Sequence, residues 1–246
     1  MSVDTDNKVR LISLSKPSSV TDCVTAEQLV AYTARVSNPA NQNNQKTASG
    51  LVKYLIRENH WSPFEMVHMT MEIKTTRDIA RQIIRHRSFS FQEFSQRYAE
   101  AEEAPVFRDA RMQHPKNRQM SLDLDETSVK DRTLNLEWRK RQEQVTVKSR
   151  EAYNWALKNG IAKEQARAVL PEGNTESVLY MAGSLLRSWI HYCELRRGNG
   201  TQKEHIRIAD ECWEIIRYHF PNVVSAIEPR VVDDAGVDLE TGKFTG

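Results

Sequence analysis

Val67-His68-Met69-Thr70-Met71-Glu72-Ile73-Lys74 is followed within four residues by Asp78-Ile79-Ala80-Arg81-Gln82-Ile83-Ile84 and then by Arg85-His86-Arg87-Ser88-Phe89-Ser90-Phe91-Gln92-Glu93-Phe94-Ser95-Gln96-Arg97-Tyr98. The first stretch alternates strictly. Val67, Met69, Met71 and Ile73 share one face and His68, Thr70, Glu72 and Lys74 the other, the pattern of a half-buried strand. The second stretch changes period. Ile79, Ala80, Ile83 and Ile84 form one stripe of a helix, and a rotation of about 100° per residue puts Gln82, Arg85 and His86 on a neighbouring face. The third stretch is where that helix runs out into hydroxyls, rings and cations. Basic residues in a last helical turn offset the negative end of the dipole, and that alone explains a lone Arg-His-Arg. It does not explain Ser90, Glu93, Ser95, Arg97 and Tyr98, which add donors and an acceptor suited to a phosphate-rich ligand.

Upstream, Val9 to Leu14 reads as a short strand. Thr25-Ala26-Glu27-Gln28 has capping-box form and opens a helix with Leu29, Val30 and Val36 inward. Ser37 to Gln45 is an asparagine-rich surface loop. Leu51, Val52, Leu55 and Ile56 define a second helix that stops near Asn59. His60-Trp61-Ser62-Pro63-Phe64-Glu65 is a turn, since Pro63 bars Ser62 from helical geometry.

Downstream, a further strand is expected through Arg97-Tyr98-Ala99. From Glu100 to Lys130 the pattern dissolves into polar residues, and a loop of that length suggests a lid over a site. Leu134, Trp138, Val145, Ala152 and Ala156 mark a long helix ended by Gly160. Short and long helices are expected at Ala162–Ala168, Ser177–Arg196 and Lys203–His219, the last stopped by Pro221. With strands first and helices later, and no βαβ alternation, the fold class is α+β, an antiparallel sheet flanked by helices. Residues 1–225 are expected to form a single domain and 226–246 a loosely ordered C-terminal tail.

The chain has 246 residues, 39% hydrophobic and 28% charged, enough for a core without staples. A net charge of +2 gives no overall electrostatic case for nucleic acid. Three cysteines, Cys23, Cys193 and Cys212, are an odd number without metal-ligand spacing, which fits a reducing compartment. No metal motif, Walker loop or dinucleotide fingerprint occurs. The polar N-terminus has no signal core, and no stretch reaches the roughly 20 apolar residues of a membrane span. A cytoplasmic location is expected. Cys193 lies in an apolar run and reads as a core thiol. In the same run Arg187 and His191 are four apart and share a helix face, whereas Arg196 falls on roughly the opposite side.

Together these segments resemble the flavin-dependent thymidylate synthases, whose signature is Arg-His-Arg, seven residues, then Ser. Arg85-His86-Arg87 and Ser95 meet it. Supporting matches run in order: His60-x-Ser62-Pro63-Phe64-Glu65, Ala80-Arg81-Gln82, Ala166-Arg167-x-Val169-Leu170-Pro171, and Leu185 to Arg196 followed by Gln202-x-Glu204. The resemblance spans about residues 8 to 225. It implies the fold of the thymidylate synthase-complementing protein type and reductive methylation of dUMP to dTMP. Methylenetetrahydrofolate would be the carbon donor and NADPH, through FAD, the hydride source. It implies an FAD site of His60, Ser62, Arg85, His86, Arg87, Glu93, Arg187 and His191. A dUMP site would comprise Gln82, Arg85, Glu93, Ser95, Gln96, Arg97, Arg167 and Arg196, with Arg196 the catalytic cation that favours ionised uracil. It also implies a homotetramer with sites shared between subunits. Gln92 and Met66 depart from residues common in the family. Two other readings remain: a nucleic-acid-binding module using Arg81, Arg85, Arg87 and Arg97 with Phe89, Phe91 and Phe94 as stacking platforms, and a flavoprotein of the same scaffold without synthase activity.

Overall fold

The computed structural model describes residues 8–101, 104–183, 186–198 and 200–228. Its elements are β1 (Val9–Leu14), α1 (Ala26–Ala34), α2 (Ala48–Arg57), β2 (Met69–Thr76), α3 (Arg77–Ile83), β3 (Phe89–Glu93), β4 (Arg111–Gln113) and β5 (Ser121–Asp123). They continue with α4 (Val129–Lys158), α5 (Lys163–Ala166), β6 (Glu176–Gly183), α6 (Leu186–Arg196), α7 (Lys203–His219) and α8 (Pro221–Ile227). Four strands form one sheet in the order β1-β2-β6-β3, and β4 and β5 form a separate antiparallel pair. Backbone bonds from Lys74 to Lys8 and from Ser15 to His68 run β1 against β2. Bonds from Arg77 to Thr175 and from Leu186 to Val67 do the same for β2 and β6. The fold is α+β, as the pattern implied.

The chain divides into two compact units, Met1–Arg10 with Met71–Ala182 and Tyr192–Glu211, and Leu11–Thr70 with Gly183–His191 and Cys212–Gly246. In the first, Met71, Ile73, Ile79, Ala80, Ile83, Leu179 and Met181 are fully buried. The alternation from Val67 to Lys74 therefore holds, with one exception. Glu72, on the polar face, is only 5% exposed because Arg10 and Tyr180 both donate to its carboxylate.

In the second unit α2 packs on α1 and α8. The Thr25 capping box is complete: its hydroxyl accepts from Gln28 N–H, and Gln28 Oε1 accepts from Thr25 N–H. α8 has no capping side chain of its own. The buried Glu27 of α1 supplies one, accepting from Val223 N–H at 3.0 Å and from Asn222 Nδ2 at 2.7 Å. Val36 is 70% exposed, because α1 ends at Ala34 before reaching it.

Several expectations are corrected. Residues 177–183 are strand, not helix. Ser177, Leu179, Met181 and Gly183 are buried at alternate positions, and the described helix that follows is Leu186–Arg196. Leu, Met and Ala favour helix when alone, but pairing between β2 and β3 overrides that preference. The strand expected at 97–99 lies earlier, at β3. Residues 95–99 are a turn in which Ser95 O accepts from Tyr98 and Ala99 N–H and Ser95 Oγ from Arg97 N–H. The polar run 100–130 holds the β4–β5 hairpin, tied to the start of α7 by Arg111–Glu204 at 2.7 Å and Lys203–Asp123 at 2.6 Å. Leu134, Trp138 and Val145 of α4 are exposed, and the buried stripe is Gln142, Thr146, Ser149, Tyr153 and Ala156. Gly160 does end that helix, at φ +75°. Pro221 closes α7 but also opens α8. The tail expected at 226–246 lies outside the described residues from 229 onward, as does Leu185.

Candidate functional site

In the first unit, the buried Ile79, Ala80 and Ile83 anchor α3. Its end winds on through Ile84 N–H to Ala80 O and His86 N–H to Ile83 O. That last turn leaves Arg85 and Arg87 exposed on either side of a half-buried His86. Neither arginine has a hydrogen-bond or ion-pair partner among the described residues. The His86 ring stands edge-on to Tyr192, with centroids 4.9 Å apart, and its Nε2 accepts from Arg196 Nε at 2.8 Å. Burial, and then the Arg196 charge, hold its pKa down to about 4. His86 is therefore neutral near pH 7, with its proton on Nδ1 and a lone pair facing the guanidinium.

Gln82 is half-buried and donates through Nε2 to Gln202 Oε1 at 2.9 Å. Glu93 Oε1 accepts from Ser177 Oγ at 2.9 Å and lies 3.5 Å from Arg77. Ser95 is half-buried and Arg97 exposed, its Nε 3.5 Å from Glu164. Gln96 is only 3% exposed and points the other way. Its unpartnered Nε2 is buried, and the side chain lines a cavity of about 270 Å³ with Phe94, Arg150, Thr175 and Ser177. Arg167 opens the single turn Arg167–Val169 after α5 and has no partner among the described residues.

The second unit holds the remaining four candidates. Asn59, at φ +59°, turns the chain out of α2, and His60 then stands edge-on to Tyr54 at 6.0 Å. Ser62 is exposed at the start of the turn Ser62–Met66, with Pro63 following it. Arg187 Nη1 donates to Glu65 at 2.6 Å, and the His191 ring packs edge-on against Trp61 at 5.0 Å. Arg187 and His191 share a helix face, as their spacing implied, and both engage the segment 61–66. Met66 is exposed and Gln92 is exposed on β3. Cys193 is fully buried, as its apolar surroundings implied, whereas Leu195 is 61% exposed.

Of the stacking platforms required by the nucleic-acid reading, Phe94 is exposed, Phe91 half-buried and Phe89 withdrawn. Phe89 is buried against Phe91 and Tyr192, and Arg81 is paired with Glu172 at 2.9 Å. No cluster of metal-ligating residues occurs among the described residues, and no helix there is long and apolar enough to cross a membrane. Two residues near this site escaped sequence reasoning, Tyr192 and His205. The signal for His205 was its place on the apolar stripe of α7, in line with Ile208, Ala209 and Cys212, where a histidine requires polar partners.

The family model described as thymidylate synthase complementing protein matches residues 19–222. A probable flavin-dependent thymidylate synthase of Paramecium bursaria Chlorella virus 1 is 53% identical over 219 residues, covering 89% of this chain and 98% of that protein. A flavin-dependent thymidylate synthase of Synechocystis sp. is 51% identical over 224 residues, covering 89% and 99%. Among solved structures, the UMP/dUMP methylase PolB from Streptomyces cacaoi bound with 5-Br dUMP aligns with a TM-score of 0.73 at 28% identity. That alignment covers 89% of this chain and 93% of that one. The chain belongs to the thymidylate synthase complementing protein family.

Proposed function

We propose that this chain is an FAD-dependent thymidylate synthase that converts dUMP to dTMP, with methylenetetrahydrofolate giving the carbon and NADPH the reducing equivalents. The observation that carries the reading is the Arg196 guanidinium held by a neutral histidine of the Arg-His-Arg triplet. That bond occupies Arg196 Nε and leaves both Nη groups for a ligand. A fixed cation beside uracil stabilises the ring after loss of its N3 proton, and the charge carried into the ring makes C5 a nucleophile. Because His86 is neutral, it restrains Arg196 without adding a competing charge. No thiol is required, in keeping with the buried Cys193.

Partnerless cations suit a phosphate, so the nucleotide is assigned to Arg85 and Arg167, joined by the exposed Arg97 beside Glu164 and the Ser95 hydroxyl. Gln82 and Glu93 complete that set, and Gln96, whose side chain is turned inward, contributes through its main chain. The donor set also fits a flavin dinucleotide. Exposed Arg85 and Arg87 flank His86, with Glu93 nearby in sequence, in one unit. His60, Ser62, Arg187 and His191 make a second set in the other unit. When bound, FAD relays the hydride from NADPH. Sites assembled from several subunits of a homotetramer accommodate two such sets. Residues 1–225 are assigned to one catalytic domain, and the protein to the cytoplasm.

The test is direct. Protein supplied with FAD should absorb in the visible, bleach with NADPH, and form dTMP from dUMP and methylenetetrahydrofolate. Arg196→Ala should keep the flavin and lose dTMP formation. A colourless protein that cannot be reconstituted with FAD overturns the reading, and a flavoprotein that makes no dTMP favours the non-synthase alternative.

A further inference from the structure

Gln82 stands in the middle of a hydrogen-bond chain that the mechanism above does not use. Its Nε2 donates to Gln202 Oε1 at 2.9 Å, and its Oε1 lies 3.2 Å from His205 Nδ1. His205 Nε2 lies 3.0 Å from the Tyr192 hydroxyl. His205 is fully buried and Tyr192 1% exposed, so bulk water does not compete for these bonds.

The direction of each bond follows from one end. Glu204 is held by Arg111 Nη2 at 2.7 and 2.9 Å. Burial works to raise its pKa, but hydrogen bonds from Arg111, its own backbone and Gln202 outweigh that and keep it an ionised, acceptor-only carboxylate. Gln202 turns its Oε1 to Gln82 Nε2 at 2.9 Å. Gln82 therefore gives an N–H there and turns its own oxygen to His205. His205, buried beside the Arg196 and His86 groups that also disfavour its protonation, is neutral and has one ring N–H. Only Nδ1–H can serve Gln82 Oε1, so Nε2 accepts from Tyr192. A carboxamide has two N–H groups and two oxygen lone pairs, and the chain uses one of each. The remaining N–H and lone pair of the half-buried Gln82 are then offered in a fixed order.

We propose that His205 and Tyr192 are positioning residues that lock the Gln82 carboxamide in one orientation, so that the nucleotide always meets the same N–H and the same lone pair. The proposal rests on the assignment of Gln82 to the dUMP site. An unlocked amide can flip and exchange donor for acceptor at the ligand, which costs binding without touching the chemistry of Arg196.

Two measurements test it on the full chain. Nitrogen-15 NMR of labelled histidine, without nucleotide, should show His205 as the neutral Nδ1–H tautomer. The Nε2–H tautomer overturns the lock, whatever dUMP does. In the FAD-loaded enzyme, His205→Leu and Tyr192→Phe should each raise KM for dUMP about fivefold, the worth of one misplaced hydrogen bond, with kcat and the flavin spectrum unchanged. In a Gln82→Ala background, His205→Leu should add nothing further. An equal rise in that background, or a fall in kcat at constant KM, sinks the proposal. If His205→Leu does not fold, Tyr192→Phe reads the same effect in a ring-preserving variant. If Gln82→Ala leaves KM for dUMP unchanged, the nucleotide assignment of Gln82 fails and the proposal with it, while the tautomer result stands separately.

Discussion

Arg196 and His86 form a pair in which only one member is charged. Removing the guanidinium takes away the charge proposed to stabilise ionised uracil, so Arg196→Ala is expected to lower dTMP formation by about 10³-fold, the range for a lost preorganised electrostatic group. Flavin absorbance should persist, and turnover within twofold of the parent would refute the role. His86 and His205 also make stability depend on pH. Their folded pKa values, about 4 and about 3, lie below the ordinary 6.5. The unfolded chain therefore takes up protons first as pH falls, and stability is lost from about pH 6.5 downward until each group titrates in the folded state. Above that window the contribution is flat. Denaturation midpoints measured from pH 7.5 to 4.5 should fall, and His205→Leu should flatten the fall. Equal slopes in parent and variant would contradict the assignment.

Among the elements, α8 shows how one helix is finished by another. With no cap of its own, it relies on Glu27 of α1. Glu27→Ala should strip the Val223 N–H of its acceptor and cost about 2 kcal/mol, the penalty for an orphaned buried donor. Denaturant unfolding measures it, and a loss below about 0.5 kcal/mol would mean that the cap is replaced locally. The β6–α6 segment makes the opposite point. Its alternation at Ser177, Leu179 and Met181 was in the sequence, but the same residues also suit a helix. Gly183 was the one break available to separate strand from helix. What settled the matter was a place between β2 and β3, both of which lie far upstream in the chain.

At the level of the whole molecule, β1, β2, α6 and α7 each carry residues of both compact units. Thermal unfolding is accordingly expected as one cooperative transition, with calorimetric and van't Hoff enthalpies equal. Two resolved transitions would count against a single catalytic domain. Light scattering should give the mass of four chains, and a monomer active at assay concentration would remove the proposal of shared sites. The local code was legible where one period dominated: the capping box at Thr25, the alternation of β2, the stripe of α3 and the stop at Gly160 follow from residues near each other in sequence. The Arg85–Tyr98 motif was legible for the same reason, since its chemistry is contiguous. The partners of those side chains were not. Arg196 meets His86 across 110 positions, Ser177 meets Glu93 across 84, and His205 meets Gln82 across 123. The sequence determines which groups can donate, accept or carry charge, because those are properties of single residues. Only the tertiary structure decides which pairs are buried together, and burial makes His86 neutral and gives the Gln82 amide a fixed direction.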